Sequence, residues 1–192
     1  RALAEAGWRV AIGYRERAAQ ATALARELEH AVALPIDVCQ PGSVGAAFAR
    51  LRAELGAPAL LVNNAAIAQE KPFAELSEAD WRRMLDVNLL GPVRCIQEAL
   101  PAMRAARFGR IVNLSSIGGQ WGGMQQLHYA AAKAGLINLT RSIARLHSGE
   151  GITANAIAPG LGATEMSAAE LASAAGRAKL GTIPAGRLGT VE

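Results

Sequence analysis

Five short apolar runs, separated by stretches rich in Ala, Arg, Glu and Leu, set the strongest limit on the fold. They are Arg9-Val-Ala-Ile-Gly-Tyr14, Ala31-Val-Ala-Leu-Pro-Ile-Asp37, Ala59-Leu-Leu-Val-Asn63, Arg110-Ile-Val-Asn-Leu114 and Ile152-Thr-Ala-Asn-Ala-Ile157. Little polar alternation runs through them, so each strand is expected to be buried on both faces, the condition of a strand inside a parallel sheet. The intervening segments are long enough to be crossover helices. Repetition of this unit predicts an α/β fold, a doubly wound parallel sheet with helices on both faces, which is a dinucleotide-binding architecture.

Length and composition agree with one domain over residues 1–192. A chain of 192 residues, 51% of them hydrophobic, can bury one sizeable core, and it has no internal repeat or low-complexity tract. No apolar run approaches the ~20 residues of a membrane-spanning helix, so no membrane partner is expected. Cys39 and Cys95 lack metal-ligand spacing and read as reduced, partly buried thiols, which suits a cytoplasmic protein. The net charge of +4 comes from dispersed arginines. Nucleic-acid binding needs a patch or stripe, so an anionic cofactor or substrate explains the charge better.

Tyr129 and Lys133 stand four apart in a proline-free segment that reads as helix from Tyr129 to Arg145, and so share one face. A tyrosine hydroxyl titrates near ~10 in water, and an adjacent ammonium favours its phenolate. That pairing is expected to make Tyr129 a general acid or base. Ser116 follows the strand-like run that ends at Leu114, where a hydroxyl can donate to a substrate oxygen gaining charge. Either motif alone is commonplace. In company with Leu61-Val-Asn-Asn-Ala-Ala66, Asp86-Val-Asn-Leu-Leu-Gly91 and Asn155-Ala-Ile-Ala-Pro-Gly160 followed by Thr164-Glu-Met166, they form an ordered set.

With these motifs the chain resembles the short-chain dehydrogenase/reductase family, within it the 3-oxoacyl-(acyl-carrier-protein) reductase-like group, along essentially its whole length. The resemblance implies a Rossmann-like domain and hydride transfer between a nicotinamide and a carbonyl or alcohol carbon. It assigns the catalytic tetrad to Asn88, Ser116, Tyr129 and Lys133. Lys133 would also bind the nicotinamide ribose, and Asn88 would kink its helix and refill a proton relay through a water. It further places Asp37 and Val38 at the adenine, Asn64, Ala65 and Ala66 at the next strand end, and Pro159, Gly160, Gly162 and Thr164 around the nicotinamide amide. Ala66 stands where the family has glycine, a cost if the backbone there needs a positive φ.

Cofactor choice turns on Tyr14-Arg15-Glu16-Arg17 at the end of the first apolar run. A cation suits the 2′-phosphate of NADP and a carboxylate the 2′-hydroxyl of NAD, so Arg15 favours NADP(H) over NAD(H), with Glu16 blurring the choice. The expected function is an NADPH-dependent reductase of a 3-oxoacyl compound or ketone. The alternatives are an NAD-dependent alcohol, sugar or steroid dehydrogenase, or a catalytically inactive fragment of the family.

Arg1-Ala-Leu-Ala-Glu-Ala-Gly-Trp8 reads as the second half of a helix, with no first strand or Gly-rich phosphate loop before it, and the end at Glu192 is abrupt. The expectation is a partial NAD(P)-binding domain, truncated at both ends. A gap between two strands, lined by apolar side chains and unpaired backbone, would follow, with poor cofactor binding and doubtful independent folding.

Around the site, Trp121 and Met124 are candidates to touch substrate, as is the segment after Thr164. Arg107 matches a basic position with which carrier-protein reductases grip their partner near the pocket mouth, whereas Glu150 replaces a cation. A free small carbonyl compound is therefore a rival substrate. His128 is expected at a surface or rim. The helices from Glu78 to Ala106 and from Tyr129 to His147 match those through which family members form homodimers and homotetramers, with Pro92 and Pro101 expected to bend or interrupt the first.

Overall fold

The computed structural model describes residues 1–164, 167, 171, 172, 178 and 180–190. All five apolar runs are strands: β1 (Val10–Tyr14), β2 (Ala31–Pro35), β3 (Leu60–Asn63), β4 (Gly109–Leu114) and β5 (Ile152–Ile157). Helix α1 (Ala2–Glu5) precedes β1, and between the strands lie α2 (Ala18–Glu27), α3 (Pro41–Leu55), α4 (Glu78–Leu85), α5 (Gly91–Ala105), α6 (Gly118–Trp121) and α7 (Leu127–His147). Local chemistry sets several starts. Pro41 opens α3, where its missing N–H costs nothing. Ser77 caps α4 in a reciprocal box with Asp80.

Every strand pair is parallel, as predicted. The pairs form two sheets, β1-β2 and β3-β4-β5, and β1 is not hydrogen-bonded to β3. The expected gap is present as a groove of about 830 Å³ whose lining includes Ala11, Ile12, Leu61, Val62, Pro92 and Cys95. Helix packing bridges it. Val44 and Phe48 of α3 join Cys95, Ile96, Ala99 and Met103 of α5 in one cluster with Ile111 of β4 and Ile152 and Ala154 of β5. Burial of each large side chain in such a cluster is worth roughly 1.5–3 kcal/mol.

Within the β3-β4-β5 sheet a buried polar chain fixes the register. Asn63 Nδ2 donates to Asn113 Oδ1 at 2.8 Å, Asn113 Nδ2 donates to Thr140 Oγ1 at 2.8 Å, and Thr140 Oγ1 donates to the Leu136 carbonyl at 2.6 Å. It ties β3, β4 and α7 together, leaving none of these polar groups unpaired.

The long segment from Glu78 is interrupted, though not where prolines alone would break it. A π-turn spans Asp86–Leu90, immediately before Gly91 and Pro92. Pro101 lies inside α5, which continues to Ala105. Its missing N–H is tolerated without a break.

Candidate active site

Parallel strands bring their carboxyl ends to one rim. Register pairs Tyr14 with Pro35, Asn63 with Asn113 and Leu114 with Ile157. The residues that follow these strands therefore share an edge: Arg15 after β1, Asp37 and Val38 after β2, Asn64, Ala65 and Ala66 after β3, Ser115 and Ser116 after β4, and Pro159 and Gly160 after β5.

Backbone pairing continues beyond β4 and β5. Ser115 N donates to the Ile157 carbonyl at 2.7 Å, and Ile117 N to the Pro159 carbonyl at 2.9 Å, setting Pro159 beside Ser116. The Ser116 Oγ accepts from Gly118 N at 3.1 Å. Ser115, buried, donates instead to the Lys133 carbonyl at 2.9 Å, fastening β4 to α7. Gly119 lets α6 approach: a Cβ there would lie 2.8 Å from the Lys133 carbonyl carbon.

Tyr129 and Lys133 lie on one face of α7, with Nζ 5.6 Å from the tyrosine ring centre. Burial holds the Tyr129 phenol above its ordinary value, and the nearby Ser116 hydroxyl opposes that rise. This corrects the expected lowering by Lys133. The ammonium donates to the Leu114 carbonyl at 2.6 Å and lies across the ring rather than at the hydroxyl. Lys133 is itself only 3% exposed, and burial draws its pKa down to about 8.

Asn88 is fully buried at the middle of the π-turn. Its Nδ2 donates to the carbonyls of Ile67 and Met84 at 3.0 and 3.1 Å, and its Oδ1 accepts from Ile67 N at 3.3 Å. The amide thus holds the widened turn open and pins the segment after β3. A π-turn is the kind of helix interruption often found at a functional site.

Among the remaining positions, Asp37 Oδ1 accepts from Cys39 N at 2.9 Å, and Asp37 N donates to Ser43 Oγ at 2.9 Å, making a tight polar turn. Arg15 is exposed and paired with Glu16, which raises its pKa; Asp37 also acts on it. Ala66 is not among the described residues with positive φ, so no conformational penalty attaches to the missing glycine. Gly162 forms an isolated bridge with Gly189, and Thr164 N donates to Ser167 Oγ at 3.1 Å. Glu165 and Met166 lie outside the described residues. On the rim Asn64 and Ala65 are exposed, and nothing lies within 4 Å of a Cβ built on Gly160.

Two expectations from sequence fail here. His128 is fully buried rather than at a rim; its Nε2 lies 3.1 Å from Gln69 Oε1 and its ring packs edge-on to Trp81. Gln69 Nε2 in turn donates to Asp80 Oδ1 at 3.2 Å, so Gln69 Oε1 faces the histidine and Nε2 must carry its proton. Arg107 and Glu150 precede β4 and β5, at the end of the sheet opposite Ser116. Glu150 is held by Arg104 at 2.7 and 2.9 Å and by His147 at 3.0 Å, and Arg107 donates to the Gly149 carbonyl at 3.0 Å. Trp121 and Met124 are 81% and 92% exposed, which leaves both free of the core. Cys39 and Cys95 are free thiols, each raised to about 11, principally by burial.

A strand-end hydroxyl acting on a tyrosine, one helical turn from a buried lysine, is an arrangement able to move a proton. Comparison with known proteins agrees. A family model described as enoyl-(acyl carrier protein) reductase matches residues 1–192. The chain is 38% identical over 168 residues to the 3-oxoacyl-(acyl-carrier-protein) reductase FabG of Staphylococcus aureus, covering 85% of this chain and 68% of that protein. To the acetoacetyl-CoA reductase of Rhizobium meliloti it is 38% identical over 194 residues, covering 100% of this chain and 79% of that protein. The structure of a gluconate 5-dehydrogenase from Burkholderia cenocepacia, in complex with NADP and tartrate, superposes with a TM-score of 0.91 at 33% identity, covering 98% of this chain and 76% of that one. The chain belongs to the short-chain dehydrogenase/reductase family, whose members are NAD(P)-dependent oxidoreductases acting on carbonyl and alcohol groups. No helix among the described residues is long and apolar enough to cross a membrane.

Proposed function

We propose that this chain is an NADPH-dependent reductase of a small 3-oxoacyl-type ketone, taken as the free compound rather than on a carrier protein. The observation that carries the reading is the placing of Ser116, Tyr129 and buried Lys133 together at the carboxyl end of β4, where Lys133 Nζ donates to the Leu114 carbonyl and Ser116 acts on the Tyr129 phenol. When bound, the nicotinamide supplies the hydride. Ser116 donates to the substrate oxygen and polarises the carbonyl. Tyr129 gives that oxygen its proton in reduction and takes it back in oxidation. Lys133, with its pKa drawn down to about 8, is suited to exchange a proton near neutral pH and to bind the nicotinamide ribose. Asn88 holds the turn that completes the relay.

Asp37 and Val38 serve the adenine, Asn64, Ala65 and Ala66 line the path between, and Pro159, Gly160, Gly162 and Thr164 meet the nicotinamide amide. Arg15 at the end of β1 favours NADP(H), its guanidinium exchanging Glu16 for a 2′-phosphate. The preference for a free substrate rests on Glu150, whose carboxylate is neutralised within the chain, and on Arg107, which precedes β4 at the end of the sheet opposite Ser116. Likeness to the gluconate 5-dehydrogenase structure favours a second reading, a sugar-acid dehydrogenase.

Steady-state rates with NADPH and NADH test these choices. Preference for NADPH with a short β-ketoester, unimproved when the acyl group is presented on a carrier protein, supports the first reading. Faster oxidation of gluconate with NADP⁺ selects the second.

A further inference from the structure

Arg94 of α5 reaches two parts of the rim with one guanidinium. One N–H donates to the Val38 carbonyl at 2.9 Å, and another meets Asp86 Oδ1 at 2.7 Å. Val38 follows β2 in one sheet, and Asp86 opens the π-turn that carries Asn88 beside the other. These two parts of the rim belong to different sheets, β1-β2 and β3-β4-β5. Arg94 hydrogen-bonds to both.

The surrounding contacts are consistent with a built clamp. The Arg94 side chain is 22% exposed and that of Asp86 34%. Gly91, three residues before Arg94, admits the Val38 side chain so closely that a Cβ would lie 2.8 Å from Val38 Cγ2. The Asp86 carboxylate also acts on the Cys39 thiol, one residue beyond Val38, helping to raise its pKa. Asp37 closes the turn from within through Cys39 N and Ser43 Oγ. A planar guanidinium can send two N–H groups to two fixed acceptors at once, whereas an ammonium is a flexible point donor.

We infer that Arg94 is a positioning residue for the adenine end of the dinucleotide: it holds the Asp37–Val38 turn against Asp86 at the start of the π-turn, and so sets the adenine pocket without touching the proton-transfer residues. This deepens the proposed function and rests on its placing of adenine at Asp37 and Val38.

The test is calorimetric titration of the protein with adenosine 2′,5′-bisphosphate, which carries the adenine end without a nicotinamide, alongside kinetics. Arg94→Met is expected to weaken the bisphosphate by about tenfold and Arg94→Lys by about threefold, the scale of losing part or all of a charge-assisted hydrogen bond. The KM for NADPH rises in step, while kcat at saturating NADPH and the KM for the carbonyl compound stay within about twofold. A residue that is merely structural would instead lower kcat and both affinities together. Bisphosphate affinity unchanged in Arg94→Met overturns the inference; if that variant does not fold, unchanged affinity in Arg94→Lys does so. Asp37→Ala separates the two layers. Should it weaken the bisphosphate while the Arg94 variants do not, the clamp alone is wrong; should neither weaken it, the adenine assignment falls and takes the clamp with it.

Discussion

Buried His128 and half-buried Tyr129 are adjacent in sequence, yet they respond to the fold in different ways. Burial lowers the His128 pKa from its ordinary 6.5, so the unfolded chain takes up the proton first as pH falls. Its contribution to stability is therefore complete above about pH 6.5 and declines below it. Denaturant unfolding between about pH 7.5 and 5 should show that loss, and His128→Phe should flatten it. An unchanged slope in the variant would assign the loss to another group. Ser116 offers a kinetic counterpart: Ser116→Ala should lower kcat by about 10²–10³-fold, the cost of one transition-state donor. That Ser116, Tyr129 and Lys133 would be brought together was legible because their types and spacing form a recognisable pattern. His128 misled because its burial depends on Gln69 and Trp81, 59 and 47 residues away in sequence, which no local pattern reports.

At the scale of elements, period and composition revealed all five strands to within a residue or two, and α7 as well. The interruption at Asp86–Leu90 was expected at Asn88 only through the family resemblance, and its π-turn geometry was not legible, while Pro92 and Pro101 drew a further expected break downstream. It depends on Asn88 finding Ile67 across space. The polar chain Asn63–Asn113–Thr140 escaped notice for the same reason, though asparagine at the last position of β3 and near the end of β4 was a usable signal. Asn113→Leu should destabilise the fold by about 1–3 kcal/mol by leaving Asn63 without its buried acceptor. Gly119 makes a separate prediction. Gly119→Val must push α6 from the Lys133 backbone, and kcat should fall with little change in cofactor affinity, as a comparison of turnover with NADPH titration will show.

Across the whole molecule, the two sheets, the groove between them and the common rim define what the site residues can do together. The parallel order was readable from apolar runs; the path of an apolar groove between β1 and β3 was expected only as a gap and acquires its shape from α3 and α5. Leu90 and Leu146 are 44% and 71% exposed on the segments that the family resemblance expects to pair subunits. Leu146→Asp should shift the protein toward monomer in sedimentation velocity, and a distribution unaffected by the substitution would exclude that face. The central claim is that Tyr129 moves the proton, and the most direct measurement is turnover and NADPH binding in Tyr129→Phe. Turnover should fall by about 10²–10⁴-fold with NADPH affinity kept within about twofold, and turnover close to that of the unsubstituted protein would contradict the account.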